Sequence, residues 1–522
     1  MLTSDCLVPL TDTERPLFLE VVPEDHPLRR ILQHIDFEEF RPSLETAYKG
    51  FGRPPLDCVF MLKLELLARQ YRLSDREVIA AARFNIAHRL FLGISLKSPL
   101  PHHTLLTYFR QRLGAARLQA VFDTLVGQAR RLGLVKDRLR LKDATHIIAN
   151  IAVPSTIRLV AEVRDQLLDA LRPFAATRVA EEEQQAQSIH QGSEDAKDEE
   201  RLVQRVAHLR AVLAWADDVP GQDAFAQASD KHQEQLHAAL ALAHKVLADR
   251  EDGASDKVIS AQDPDARRAK HGDWYEGYLV DVAMDADSEI ITAVDVLPAN
   301  GDDGANTAEL IAQEERVHGN DVEAVSLDGS GYRGAVLREL TDPTGLNLEV
   351  FTPPTQSPPT PGFPPERFTL TVVDGRPTLT CPAGATTRKR HHNDHDTGYV
   401  YQFREADCSG CPLRSACLVN PAAKGRAVSK NDYESEYTAA KAKAQTPEYA
   451  EVRRRHPAIE RKLAELVRRH ELRRARYRGR LRVLYQGIIT SFVVNLKRIV
   501  RLLCAPPDEP QGLLRAAVVG LG

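Results

Sequence analysis

Apolar residues between Cys58 and Arg69 recur at helical spacing, and the run stops before Leu73-Ser74-Asp75-Arg76-Glu77. Ser74 with Glu77 three residues later has the form of a capping box, predicting a second helix through Leu90. Thr104 is placed to cap a third helix, Leu105–Leu113, and a fourth follows over Arg117–Leu132. Residues 1–135 therefore read as a helical N-terminal domain. A helix–turn–helix and a four-helix packing unit fit this spacing equally well.

The period then changes from helical to two. In Leu139-Arg140-Leu141-Lys142-Asp143-Ala144-Thr145-His146-Ile147, the odd positions are apolar except for Asp143 and Thr145, which predicts a strand. Residues 156–270 lose this character and read as an acidic, polar helical insertion carrying Glu181-Glu182-Glu183 and Asp198-Glu199-Glu200. Strand patterning returns as a hairpin, Glu276–Met284 and Glu289–Val296 around Asp285–Ser288. A helix at Thr307–Val317, a strand at Val322–Leu327, a helix at Ala335–Leu340 and a strand at Leu348–Thr352 follow. The order β, β, β, α, β, α, β predicts an α/β core with a mixed sheet. Its segments are 136–155, 271–352 and 446–505.

Residues 353–445 interrupt that core. They open with a stiff linker holding Pro353, Pro354, Pro358, Pro359, Pro361, Pro364 and Pro365. A hairpin, Phe368–Val373 and Thr378–Thr380, leads to a cysteine segment. Two helices, Pro457–Glu471 and Leu481–Leu503, close the chain.

Asp+Glu number 73 against Lys+Arg 69, a net charge of −4, which excludes a uniformly basic nucleic-acid-coating protein but not local basic strips. The longest apolar-rich stretch, near Tyr485–Val494, is shorter than a membrane-spanning run, and the N-terminus lacks the basic start of a secretion signal. A cytoplasmic protein with no membrane partner is expected. Of seven cysteines, Cys381, Cys408, Cys411 and Cys417 cluster, supplying the four thiolates of a closed tetrahedral zinc site. Unmetallated thiols and an iron–sulfur cluster are the competing readings.

Among the acids, local context selects three. Asp143 shares the inward phase of an apolar strand, where an ionised carboxylate needs a metal, a cation or donors; a hydrogen-bonded structural Asp is the other reading. Asp328 ends an apolar strand at a Gly-Ser-Gly turn, where α/β sheets bind ligands and where turn-initiating Asp is also common. Glu460 borders the apolar stripe of Ile459, Leu463, Leu466 and Val467, whereas Glu465 is expected to point into solvent; a boundary Glu paired with a neighbouring Arg or Lys is the other reading, and Glu471 is a weaker competitor.

The chain resembles bacterial insertion-sequence DDE transposases, which have a helical N-terminal domain and a ribonuclease H-like catalytic core. The resemblance rests on Gly52-Arg53-Pro54-Pro55, Leu73–Glu77, Phe91-Leu92-Gly93, Phe109–Leu113, Asp143-Ala144-Thr145, Gly277-Tyr278 and Pro298-Ala299-Asn300. It continues in Asp328, Cys381-Pro382, Cys408-Ser409-Gly410-Cys411-Pro412, Arg474–Gly479 and Asn495-Leu496-Lys497-Arg498. It implies that Asp143, Asp328 and Glu460 are catalytic and hold two Mg²⁺ or Mn²⁺ ions for phosphoryl transfer. The chain departs from the wider pattern near the last acid, where Arg453, His456 and Val467 stand in place of Tyr, Arg and Lys.

DNA is the implied partner, both the inverted-repeat ends and the target, with a homodimer bridging two ends. The candidate DNA contacts are Arg110 and Arg112 in the helical domain, the strip Arg468, Arg473, Arg474, Arg476 and Arg478, and Lys497 with Arg498. A nuclease of the same fold without strand joining and a non-catalytic DNA-binding derivative are the alternatives.

Overall fold

The computed structural model describes residues 7–48, 56–251, 256–355, 362–394, 397–418, 420 and 422–505. Residues 52–55 and Pro358, Pro359 and Pro361, named above, lie outside the described residues. The N-terminal part comprises α1 (Glu14–Val21), α2 (Pro27–His34), α3 (Arg41–Glu45), α4 (Cys58–Gln70), α5 (Asp75–Phe84), α6 (Ile86–Leu92) and α7 (Thr104–Arg131). The capping box forms as expected: Glu77 N–H donates to Ser74 Oγ at 3.3 Å, and Ser74 N–H to Glu77 Oε2 at 2.8 Å. The second helix, however, stops at Phe84. Asn85 is extended there and starts α6 by accepting from His88 N–H at 3.1 Å. The third and fourth predicted helices are the two halves of α7, separated by a kink at Gly114, which takes the non-helical φ +65° and ψ 177°. Thr104 does not cap it, because His103 occupies that position and makes no side-chain cap bond.

The period-two segment forms β1 (Arg140–Ile148). The insertion follows as α8 (Thr156–Gly192), α9 (Asp198–Ala216), α10 (Asp223–Ala226) and α11 (Asp230–Glu251), packed on a core of its own around Val160, Leu167, Val212, Leu236 and Val246. The sheet resumes with β2 (Arg267–His271), β3 (Asp273–Asp285) and β4 (Ile291–Pro298). Then come α12 (Thr307–His318), β5 (Ala324–Ser326), α13 (Gly334–Thr341) and β6 (Glu349–Phe351). The six-stranded sheet runs β2-β3-β1-β5-β6, with β4 on the far side of β3. β1 is antiparallel to β3 and parallel to β5, giving the mixed α/β sheet expected. β2 was not anticipated: residues 267–270, read as insertion, form with His271 an exposed edge strand whose alternation is masked by its four polar residues. Gly277 lets β3 approach β1, since a Cβ there would lie 1.9 Å from Ile147 O.

The cysteine segment contains β7 (Thr369–Val373), β8 (Arg376–Thr380), β9 (Thr386–Thr387), β10 (Arg390–His392), β11 (Tyr399–Gln402), α14 (Glu405–Ser409), α15 (Arg414–Cys417) and β12 (Ala427–Lys430), in two three-stranded sheets. The chain returns to the core through α16 (Glu434–Lys443), α17 (Pro447–Arg455), α18 (Pro457–His470) and α19 (Arg480–Leu503). By length and composition α19 is apolar enough to cross a membrane, but 83% of its apolar window is buried. It is the central core helix, with Ile488, Phe492 and Val493 in the same cluster as Leu141, Val280 and Phe122. Its two buried amides serve as clamps. Asn495 accepts from Ile291 N–H at 2.9 Å and donates to Ile291 O at 2.7 Å, fixing β4. Gln486 likewise accepts from Arg476 N–H at 2.8 Å and donates to Arg474 O at 3.0 Å.

The even positions of β1 carry buried cations. Arg140, 0% exposed, donates to Glu314 of α12 at 2.6 Å and to Asp285 at 3.2 Å. Arg130 of α7 shares Glu314, so one carboxylate joins the helical domain, β1 and α12. Lys142, 2% exposed, lies 3.0 Å from Asp281. On the opposite face of the sheet, α18 contacts the helical domain at His470, which burial pushes down to about 4, helped by Lys497. Glu465 does not point into solvent as expected; it is half-buried, 3.3 Å from Lys497 and 3.5 Å from Lys462.

These buried groups set the stability of the fold. Glu314→Ala leaves the buried Arg140 and half-buried Arg130 guanidiniums short of their counter-charge and should lower stability by about 3–5 kcal/mol, read as a reduced urea midpoint. Glu451→Ala, which removes an exposed i,i+3 pair with Arg454, should change it by less than about 1 kcal/mol. His470 has a depressed folded-state pKa, so the unfolded chain binds more protons between the two values. The stability it contributes is present above pH about 6.5 and is lost as pH falls through about 4. Denaturation midpoints of His470→Gln should show a shallower slope across that window; an unchanged slope would refute the assignment.

Candidate active site

Two adjacent parallel strands bring the first two candidate acids together. The β1–β5 ladder pairs Arg140 with Val325 and Leu141 with Ser326. Two residues beyond the last rung lie Asp143 on one side and Asp328 on the other. Strand alternation turns Asp143 away from Arg140 and Lys142, toward the face covered by α18. Its Oδ1 accepts from Ala144 N–H at 2.8 Å. Burial, together with the neighbouring carboxylates of Asp328 and Asp303, pushes Asp143 up to about 7, against the opposing effects of the Ala144 N–H and Lys142. A carboxyl poised in this way favours any cation that relieves its neighbours' charge.

Asp328 begins a one-turn helix, and its Oδ1 accepts from Ser330 N–H at 2.9 Å and Ser330 Oγ–H at 2.6 Å. Thr352 at the end of β6 holds its backbone carbonyl at 2.7 Å. Ser330 Oγ also lies 3.3 Å from Asp303 Oδ2. Asp303 was not among the candidates. It sits in the turn between β4 and α12, where Lys142 Nζ reaches its carbonyl and stands 3.8 Å from its carboxylate. The available signal was Lys142 itself, a cation in an apolar strand that needs an acid from elsewhere in the chain.

Glu460 lies exposed on the first turn of α18 and makes no ion pair among the described residues. Its helix packs on the sheet through Ile459, Leu463 and Leu466, as the apolar stripe required. One turn earlier His456, 2% exposed, faces Ser326, with Nδ1 3.0 Å from Ser326 Oγ. Burial and the adjacent Arg453 hold its ring down to about 4, against the pull of Asp328. Arg453 donates to Ser326 Oγ at 3.2 Å and to Leu327 O at 2.6 Å. The structure therefore brings Asp143, Asp328 and Asp303 into one electrostatic group, with Glu460 one helical turn past His456. No three His, Cys, Asp or Glu side chains among the described residues stand close enough to share one ion.

The candidate DNA contacts divide. Arg110 is drawn inward by Glu65 at 2.7 Å and Asp75 at 2.6 Å, and Lys497 and Arg498 turn to Glu465 and to Ser288 O. Their charges are engaged inside the fold. Arg476 pairs with Glu471 at 2.8 Å, and Arg473 donates to His146 O at 2.6 Å. The segment around Arg473 and Ala475 adds to the end of β1, with Ile148 N–H donating to Arg473 O at 2.9 Å. Arg112, Arg468, Arg474 and Arg478 are exposed, as are Arg469 and Arg482. Of these, Arg478 donates to Asn150 O at 3.1 Å and Arg112 stacks over Tyr48.

In the cysteine segment, Cys381, Cys408, Cys411 and Cys417 line one cavity with Phe363, Phe368 and Phe403. All four are free thiols. Burial pushes Cys417 up, and its three cysteine neighbours add to the effect while Arg426 opposes it.

Two family models match the chain. Residues 17–112 match the transposase domain (DUF772), and residues 380–500 match a transposase DDE domain. The second spans the four clustered cysteines and Glu460, while Asp143 and Asp328 precede it. No solved structure matches the chain. The DDE match implies a ribonuclease H-like fold, divalent-metal use and a DNA substrate. A transposase domain near the N-terminus and a transposase DDE domain on one chain support an insertion-sequence DDE transposase.

Proposed function

We propose that this transposase binds the terminal repeats of a mobile element, cleaves the DNA there and joins the freed 3′-hydroxyl to target DNA. The carrying observation is the side-by-side placement of Asp143 and Asp328, the first half-buried and pushed up to about 7 by burial and its carboxylate neighbours. Carboxylate oxygens are the donors that hard divalent cations take, so the set suits Mg²⁺ or Mn²⁺. Such ions, when bound, activate the attacking oxygen and stabilise charge on the leaving one. Asp143 and Asp328 would hold them, with Glu460 supplying the third carboxylate from α18.

The chain's own residues supply position. Ser330 fixes one oxygen of Asp328, and the Thr352 hydroxyl fixes its backbone. The exposed guanidiniums of Arg468, Arg474 and Arg478, with Arg112 on the helical domain, would neutralise phosphates of the bound duplex. Gln486 holds the backbone of the basic loop, so that its side chains stand at the end of β1. Two DNA ends brought together would require a second copy of the chain.

The test uses the full chain and a labelled duplex carrying the element's end. Asp143→Asn, Asp328→Asn and Glu460→Gln should each cut single-turnover cleavage by about 10²–10³-fold or more, the scale of one lost transition-state electrostatic contact. A pre-cut end with a free 3′-hydroxyl should still be joined to target by the unaltered chain. Cleavage without joining would make the protein a nuclease. Duplex binding that is unchanged in all three variants, with no cleavage by them or by the unaltered chain, would make it a DNA-binding derivative.

The cysteine segment has its own reading, a structural zinc ion. It is supported by four thiols from three chain segments on one cavity, beside a core of only Phe368, Leu379, Tyr401, Phe403 and Val428. So small a core ordinarily needs a staple. Closing the site requires the thiolates to move in to about 2.3 Å from the ion. Purified protein should contain zinc in a one-to-one ratio by elemental analysis. Cys408→Ser should lose it and expose residues 362–430 to proteolysis. Metal-free protein with an equally protected segment would refute the zinc site.

A further inference from the structure

The buried His456 ring carries a hydrogen-bond donor that the fold leaves unused beside Asp328. His456 is 2% exposed, and its Nε2 has no hydrogen-bond partner among the described residues. Leaving such a group unpaired in the interior is costly, so the position calls for an explanation.

The proton arrangement follows from its neighbours. Arg453 Nη1 can only donate, so Ser326 Oγ accepts from it at 3.2 Å. Ser326 Oγ has one proton of its own, and the other partner within reach is His456 Nδ1 at 3.0 Å. Nδ1 therefore accepts from the serine, and a neutral ring carries its hydrogen on Nε2. In a doubly protonated ring Nε2 is also a donor. The carboxylate that acts on the ring is Asp328, two residues beyond Ser326 and just past the end of the same strand. Asp328 offers an acceptor: its Oδ1 is taken by Ser330, while Oδ2 accepts no hydrogen bond among the described residues.

We propose that Arg453, Ser326 and His456 form a relay that aims Asp328, with the Nε2–H of His456 donating to the carboxylate oxygen that Ser330 leaves free when a divalent cation draws Asp328 toward Asp143. His456 is thus a positioning residue. It touches neither DNA nor cation, and acts through Asp328. The inference rests on the reading of Asp143 and Asp328 as cation-holding acids. It assigns a role to a residue that stands where related chains place an arginine, and it explains why a buried neutral ring serves there. The ring's task is to donate one hydrogen bond inward. Carboxylates that hold metals are commonly oriented by such outer partners, whose loss costs about 10–100-fold in metal affinity or activity.

The experiment compares His456→Leu, which keeps bulk and removes the donor, with His456→Gln, which keeps a donor near the Nε2 position. Two quantities are read on the full chain: the Mg²⁺ concentration giving half-maximal single-turnover cleavage, and Mn²⁺ affinity by electron paramagnetic resonance without turnover. The leucine variant should need roughly tenfold more of either ion, and the glutamine variant should stay within about threefold of the unaltered chain. Should the leucine variant fail to fold, Ser326→Ala, which releases the serine's hold on Nδ1, should give a several-fold rise in the same two quantities. Leucine and alanine variants that bind Mn²⁺ as the unaltered chain does would overturn the relay while leaving the catalytic reading intact. Asp143→Asn binding Mn²⁺ and cleaving normally would instead overturn the reading on which the relay stands.

Discussion

The geometry of the site depends on two buried cations in the first core strand. Arg140 and Lys142 lie almost wholly out of water, each satisfied by carboxylates from other elements: Glu314, Asp285, Asp281 and the Asp303 turn. Charges this deep are tolerable only when paired, so β1 has a single workable facing and register. Shifting it by one residue would send both cations into the apolar side around Leu141 and Ile147. The alternation that satisfies Arg140 and Lys142 is the same alternation that turns Asp143 toward α18. Acid placement is therefore a consequence of cation placement.

Much of this was legible in the sequence, for identifiable reasons. Asp143 stood out because it broke an apolar phase, and Asp328 because an apolar strand ended at it. Both signals are local, and both survive in the fold. The contribution of Asp303 is long-range: it becomes visible only when the turn after β4 folds against Lys142, so no local pattern marks it. His456 was noticed as a departure from a family pattern, but its meaning lies in contacts with Ser326, 130 positions away. The basic residues divided along the same line. Sequence identifies a cation but not its partner, and Arg110 looks like a DNA contact until Glu65 and Asp75 surround it. The elements behaved similarly. Period and caps located most helices and strands, while Asn85 split one predicted helix and Gly114 kept two apart, each through a backbone choice at a single residue.

The helical domain and the sheet are not independent units joined by a tether. α7 lies against α19, and its Arg130 shares Glu314 with Arg140. α19 in turn clamps β4 through Asn495 and the basic loop through Gln486. One apolar helix thus fixes the strand next to the acids' sheet partner and the loop carrying the exposed guanidiniums. The helix's suitability for a membrane, judged by composition alone, is the signature of this central role: most of its apolar window is covered by protein.

This coupling bears on how a DNA-processing site can be assembled from distant parts of a chain. The two family matches fall at 17–112 and 380–500, and the strand carrying Asp143 lies between them. The parts are brought together by buried polar pairs: Arg130 with Glu314, Asn495 with Ile291, Gln486 with Arg474 and Arg476. Apolar packing fixes how tightly elements sit together, but it tolerates sliding. A buried hydrogen bond or ion pair does not, because a slip of one position leaves it unmade at full desolvation cost. Placing such pairs on the few contacts that connect the basic loop, β1 and the helical domain confines their relative movement to what those bonds allow. A site of the kind proposed, with a duplex held against Asp143 and Asp328, would need that restriction more than it needs added stability.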